Sequence, residues 1–290
     1  MPRKKMILKT PEEIELARAA CLLVCKTLTE VGKMLRPGLT GQEIDTFAEE
    51  FIRDNGAIPG FKGLYGCPST LLVSRNEEVV HGLPDEKQVF QDGDILSIDC
   101  GTYMNEFYGD AAYTFCVGDV KEDTMELCRR TKHSLYLGID QARAGKRVGD
   151  ISFAVQNYTE RQHQYGVVRE LVGHGLGRKL HEAPDVPNFG KRGRGTVLRA
   201  GLIIAIEPMI NMGTHKVLSK PDGWTIFTKD RQPSAHYEHS VAITGGGAQA
   251  DILSDHRPIE AAIRNNPNLK EVGNIDQELF DRYQPVEVVA

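Results

Sequence analysis

Two aspartates eleven residues apart, Asp99 and Asp110, lie at the facing ends of two apolar runs, residues 95–98 and 111–117. A hairpin turning at Met104-Asn105 would set their carboxylates directly opposite one another. Like charges so placed repel, and a divalent cation between them removes the repulsion, because hard or borderline metals take carboxylate oxygens. Taken alone, the pair is better explained by one aspartate in a surface turn. Two glutamates shift that balance. Glu207 closes the apolar run 202–206 before Pro208, and Glu238 precedes Val241-Ala242-Ile243. A lone charge at either place would be costly. Each could pair with an arginine, but four carboxylates at apolar strands, two from each half of the chain, call for bound cations.

Nitrogen donors come from Gly173-His174-Gly175-Leu176-Gly177 and from His181, seven residues after His174. Glycines on both sides of His174 let the backbone pass close to a ligand. His81, in Val80-His81-Gly82-Leu83-Pro84, joins them as a candidate. The remaining histidines, His133, His163, His215, His236, His239 and His256, read as ordinary residues without a site role. The six cysteines are scattered, with no CxxC pair, and read as small core residues rather than a disulfide or zinc framework.

Elements must hold these groups in place. Thr10-Pro11-Glu12-Glu13 has the form of a capping box with proline at N1, so a helix starts there and ends before Pro37-Gly38. Thr40 and Glu43 repeat the box for a second helix, which Gly56 stops. Short strands follow at 71–73, 79–81, 95–99 and 107–117. A second round has helices near 122–143 and 149–164, then strands near 167–172, 201–207, 224–228 and 237–243. Each half reads helix, helix, strands, which predicts an α/β (α+β) fold of two similar halves facing one another. Residues 1–245 form this unit. Residues 246–290, after Gly245-Gly246-Gly247, are polar and carry Pro258, Pro267 and Pro285, so they read as an appendage with one short helix near 258–264.

Composition excludes several classes. With 40% apolar and 26% charged residues the chain is globular rather than disordered, and a net charge of −5 gives no reason to expect nucleic-acid binding. The basic run at residues 2–5 reads as a solvated tip. No stretch is apolar enough to span a membrane or to act as a secretory leader, which makes the cytoplasm the expected compartment.

The ordered segments Asn76 to Gly82, Ser97-Ile98-Asp99, Gly109-Asp110, Gly173 to Pro184, Ile206-Glu207-Pro208-Met209, Asp222-Gly223-Trp224-Thr225 and Ser234 to Thr244 resemble the type I methionine aminopeptidases over residues 8–245. The resemblance implies the pita-bread fold, with two α/β halves around a dimetal centre. It implies removal of the initiator methionine when the second residue is small, from nascent polypeptide N-termini, by a monomer that also admits the ribosome as a partner. Position by position, Asp110 and Glu238 match ligands that bridge two ions, Asp99 a ligand to one, and His174 with Glu207 ligands to the other. The ions could be cobalt, manganese, iron or zinc. His81 matches the histidine near the substrate amine, and His181 the one that reaches the scissile carbonyl. Two cations about 3.5–4 Å apart acidify a water and polarise that carbonyl, with Glu207 as general base and His181 at the oxyanion. Trp224 matches a pocket residue, with Phe61 and Tyr65 beside it. At Cys67, Leu72 and Leu180 the chain departs from the usual aromatic, cysteine and aromatic or long residue, which alters the methionine pocket.

Prolidases and aminopeptidase P share the five ligands but carry a whole N-terminal domain, whereas 98 residues precede Asp99 here. Type II methionine aminopeptidases insert a helical subdomain between the positions of His181 and Glu207, where this chain has 25 residues. A non-enzymatic binding protein on the same fold would typically have lost ligands, and all five are present.

Overall fold

The computed structural model describes residues 6–283. The basic run at residues 2–5 and Pro285 lie outside them. The first half runs α1 (Pro11–Met34), α2 (Gly41–Asp54), β1 (Ile58–Pro59), β2 (Leu71–Arg75), β3 (Glu78–Val80), β4 (Ile95–Met104) and β5 (Phe107–Val117). The second runs α3 (Glu122–Ile139), α4 (Val148–Gln156), β6 (Gly166–Val167), β7 (Gly173–Gly175), β8 (Glu182–Val186), β9 (Ile203–Ile206), β10 (Met209–Asn211), β11 (Val217–Ser219), β12 (Ile226–Thr228), β13 (Ser234–His236) and β14 (His239–Ala242). Then come β15 (Asp251–Ile252), α5 (Arg257–Asn265), β16 (Leu269–Lys270) and α6 (Gln277–Arg282).

Both capping boxes form. Thr10 and Thr40 each accept from the backbone N–H three residues on, while Glu13 and Glu43 reach back to the cap N–H. These reciprocal bonds satisfy donors that a helix start otherwise leaves open. The expected helix at 149–164 is α4 followed by a wider π-type turn, Asn157–Gln162.

Two larger antiparallel sheets dominate. One has the order β1-β4-β5-β16, with β2 also on β4; the other is β15-β14-β9-β7-β8. They meet along β5. Glu238 N donates to Ala112 O at 3.0 Å, the Ser240 hydroxyl to Asp110 O at 2.7 Å, and Thr114 exchanges bonds with the His236 backbone at 2.7 and 3.0 Å. The junction draws residues 110–114 and 236–240 together although they are far apart in sequence.

Helix α1 packs closely on the β4–β5 hairpin, where the Thr102 hydroxyl donates to Ala20 O at 2.9 Å. A Cβ at Gly109 would come within 2.3 Å of the Ala20 carbonyl carbon. Backbone cannot yield as a side chain can, so Gly109→Ala is expected to destabilise by about 1–3 kcal/mol or more. It should also displace the neighbouring Asp110. An unchanged denaturant midpoint would contradict this packing.

Residues 246–283 are polar in texture, yet they fold back onto both halves. The short helix expected near 258–264 is α5; Ile259 and Ile263 are buried in the main core, and β16 pairs with Val117 and Cys116 at the edge of β5.

Candidate active site

The β4–β5 hairpin turns at Asn105-Glu106, both left-handed at φ +51° and +65°, with Met104 facing Phe107. Two consecutive positive φ values are the mark of a tight two-residue hairpin turn. This moves the register by two from the one expected. Asp99 pairs with Ala112, and Asp110 with Gly101. The aspartates are therefore diagonal rather than directly opposed, but still share a face, because side chains alternate with period two. Glu207 follows the buried β9, and Glu238 lies between β13 and β14 at the sheet junction. His174 is the centre of the three-residue β7, where a Cβ on Gly173 would meet Ala205 O at 2.4 Å and one on Gly175 would meet Ala183 O at the same distance. Only glycine on both sides permits this approach.

The side chains converge. Asp110, His174 and Glu238 each place a donor atom within 4.8 Å of the others. His174 Nε2 is 3.6 Å from Asp110 Oδ2 and 3.6 Å from Glu207 Oε1. Its Nδ1 lies 3.0 Å from Gly175 O. A carbonyl can only accept, so Nδ1 carries the proton and the Nε2 lone pair faces the carboxylates, as in a metal-binding imidazole. Burial pushes the His174 imidazole down to about 4, with the charge of His181 adding to the effect. Burial also raises the carboxyls of Asp99, Asp110, Glu207 and Glu238; the charges of Asp99 and Glu207 raise Asp110 further, and those of Asp110, Glu207 and Asp99 raise Glu238 further.

Buried polar atoms are normally hydrogen-bonded. Asp99 Oδ1, Asp110 Oδ1 and Glu238 Oε1 are buried with no protein partner. Unpartnered carboxylate oxygens beside a neutral imidazole fit a hard or borderline divalent cation.

One cavity of about 190 Å³ is bordered by all five of these residues together with His81, His181, Phe61, Tyr65, Cys67, Leu72, Leu180 and Trp224. Every residue expected at the site reaches it. Leu72 is the register partner of Asp99, and the Phe61 ring covers Gly101, the partner of Asp110. His181 stands edge-on to His174, with centroids 4.4 Å apart, and is stacked by the exposed Tyr65 at 5.8 Å. His81, left-handed at φ +60°, meets the edge of Trp224 at 6.5 Å. Burial, then the charges of His236 and His181, push its imidazole down to about 4.

His236 belongs with the site as well, although little in the sequence marks it. It is buried, and its Nε2 lies 3.6 Å from Glu207 Oε2 with no hydrogen-bond partner. The pairing of Met209 with His236 brings it beside Glu207. The available signal was its place two residues before Glu238.

The profile of metallopeptidase family M24 matches residues 15–245. The methionine aminopeptidase of Clostridium perfringens is 49% identical over 244 residues, covering 84% of this chain and 97% of that one. Among solved structures, the methionine aminopeptidase of Thermotoga maritima superposes with a TM-score of 0.83 at 43% identity, covering 86% of this chain and 99% of that one. The prolidase of Pyrococcus furiosus, with a TM-score of 0.69 at 22% identity over 86% of this chain and 66% of that one, shares the fold alone. These likenesses agree with the two-halved pita-bread architecture and with the acidic, histidine-bearing cavity between the halves: the chain belongs to metallopeptidase family M24 and, within it, to the methionine aminopeptidases.

Proposed function

We propose that this chain removes N-terminal methionine from nascent polypeptides when the next residue is small, as a cytoplasmic monomer that meets its substrates at the ribosome. The observation that carries the reading is that Asp99, Asp110, His174, Glu207 and Glu238 line one cavity, with Asp110, His174 and Glu238 close enough to share an ion. Asp110 and Glu238 would bridge two divalent ions, Asp99 would hold one, and His174 with Glu207 the other. Cobalt, manganese, iron and zinc all suit oxygen-rich donors with one imidazole.

Bound there, such cations supply Lewis acidity, which lowers the pKa of water and polarises a carbonyl oxygen. The side chains do the rest. A Glu207 carboxylate oxygen takes a proton from the attacking water and delivers it to the leaving nitrogen as the C–N bond breaks. His181 hydrogen-bonds the carbonyl oxygen as negative charge builds on it. His81, against Trp224, faces the substrate amine.

Phe61, Tyr65, Cys67, Leu72, Leu180 and Trp224 form the walls that receive the first side chain. An unbranched thioether suits a flexible apolar slot. Discrimination by apolar fit is modest, about 1–3 kcal/mol per methylene. Met-Ala peptides are therefore expected to be cleaved best, Leu-Ala peptides measurably, and peptides beginning with Lys or Glu, or the dipeptide Ala-Pro, hardly at all. Trp224→Ala should lower kcat/KM for Met-Ala by roughly 10- to 200-fold, the range of such apolar contacts. Measurement of kcat/KM across the series at fixed metal loading tests this. Preference for an N-terminal Lys or for Ala-Pro, or an unchanged rate and ranking in Trp224→Ala, would refute the methionine pocket.

A further inference from the structure

The chain ahead of α1 crosses to the second half of the molecule. Lys9 N donates to Gly201 O at 2.7 Å, and Gly201 N donates to Ile243 O at 3.0 Å, which lays the segment where β9 begins and β14 ends. From there the Lys9 side chain reaches the turn between β7 and β8. Its Nζ donates to Glu182 Oε2 at 2.6 Å and to Ile7 O at 3.1 Å, and the two charged side chains are 2% and 3% exposed. The other Glu182 oxygen, Oε1, accepts from Lys179 N at 3.3 Å. A Cβ on Gly177 would stand 2.5 Å from both Glu182 Oε1 and Lys9 Cε. Glycine at 177 leaves the room that the ion pair fills.

The turn so held is the one that carries His181. It leaves β7 just after His174, returns at Glu182, which pairs with Gly175, and places His181 immediately before that glutamate. Its first residues are anchored by backbone: Leu176 N donates to Ile203 O at 3.0 Å, and Gly177 O accepts from Tyr108 N at 2.8 Å. Side chains secure the rest. Arg178 pairs with Glu13 at 3.3 Å and with Glu106, but it is half exposed, and ion pairs open to water contribute little. The Lys9–Glu182 pair is buried, so loss of either partner leaves an uncompensated charge in the interior. His181 borders the cavity, whereas Lys9 and Glu182 stand behind it.

We infer that Lys9 and Glu182 are positioning residues: their buried ion pair fixes the turn on which His181 stands and so aims its imidazole at the scissile carbonyl. The inference rests on His181 acting at that carbonyl. A donor to a developing oxyanion is effective only where the charge appears, and a misplacement of about 1 Å can cost on the order of 10²-fold in rate. The loss belongs to kcat rather than to KM, because the bond strengthens as the transition state forms.

The test is a double-mutant cycle in the full-length protein, read as kcat and KM on Met-Ala peptides at saturating metal. It compares the wild type, Lys9→Met, which keeps the length of the side chain without its charge, His181→Ala, and the two combined. His181→Ala should lower kcat by about 10²- to 10³-fold. Lys9→Met should lower it by roughly 10- to 100-fold at unchanged KM, and should add nothing in the His181→Ala background, where no imidazole remains to be aimed. If Lys9→Met does not melt cooperatively, Lys9→Met with Glu182→Gln, which removes both buried charges together, takes its place in the same cycle. Wild-type kcat in the folded variant overturns the inference, as does a loss that multiplies with that of His181→Ala or one that falls on KM alone. Wild-type kcat in His181→Ala overturns the role of His181 beneath it.

Discussion

Glu207→Gln is expected to lower kcat about 10²- to 10⁴-fold, the range attached to a positioned general base. The substitution keeps the shape of the side chain but removes its capacity to accept the proton of the attacking water. It also removes a negative charge from a group whose oxygens lie 3.6 Å from both His174 Nε2 and His236 Nε2. Steady-state kinetics on Met-Ala peptides at saturating metal separate the two losses: a weakened metal site is corrected by added metal, a missing base is not. Turnover near the wild-type rate would show that another carboxylate is the base.

Strong chelation should reduce peptidase activity by more than roughly a hundredfold, the loss that follows removal of even one electrostatic donor, and cobalt, manganese or ferrous ion should restore it. The metal-free protein carries a pH signature as well. Burial raises Asp99 to about 7 and Glu207 to about 8, above the ordinary carboxyl values that they regain on unfolding. Between those limits the folded state binds more protons than the unfolded state, so stability falls as pH rises. The lowered values of His81, His174 and His236 act in the opposite sense, but only below their ordinary value near 6.5. From pH 6.5 to 8.5 the carboxyls therefore decide, and the metal-free protein should lose on the order of 3 kcal/mol, at about 1.4 kcal/mol per pKa unit. Bound cations compensate the negative charge, so the Tm gained on adding metal should widen over this window. A gain that narrows with rising pH would contradict the electrostatic account.

Much of this was legible in the sequence because it is local. A capping box is set by four consecutive residues, so both helix starts fell where Thr10 and Thr40 place them. Carboxylates at the ends or starts of apolar runs singled out Asp99, Asp110, Glu207 and Glu238 as candidates, because charge beside buried strand needs a partner. The register of the two aspartates was not legible. Asn105-Glu106 supplies a turn with two left-handed residues but lacks the glycine that usually announces one, and a shift of the turn changes which residues face. His236 owes its place to the pairing of β10 with β13, a contact between strands separated in sequence. The C-terminal segment has few apolar residues, but Ile259, Ile263, Leu279, Phe280 and Tyr283 are buried against the main core. Composition marks how many apolar groups a segment has, not whether they find a surface.

The most direct test is anomalous scattering from crystals of the cobalt-loaded protein, recorded on both sides of the cobalt absorption edge. Two peaks are expected about 3.5–4 Å apart. Both should touch oxygens of Asp110 and Glu238, one also Asp99, and the other His174 Nε2 and Glu207. Peaks elsewhere, or none within this cavity in an active crystal, would contradict the assignment of these five residues as the metal centre.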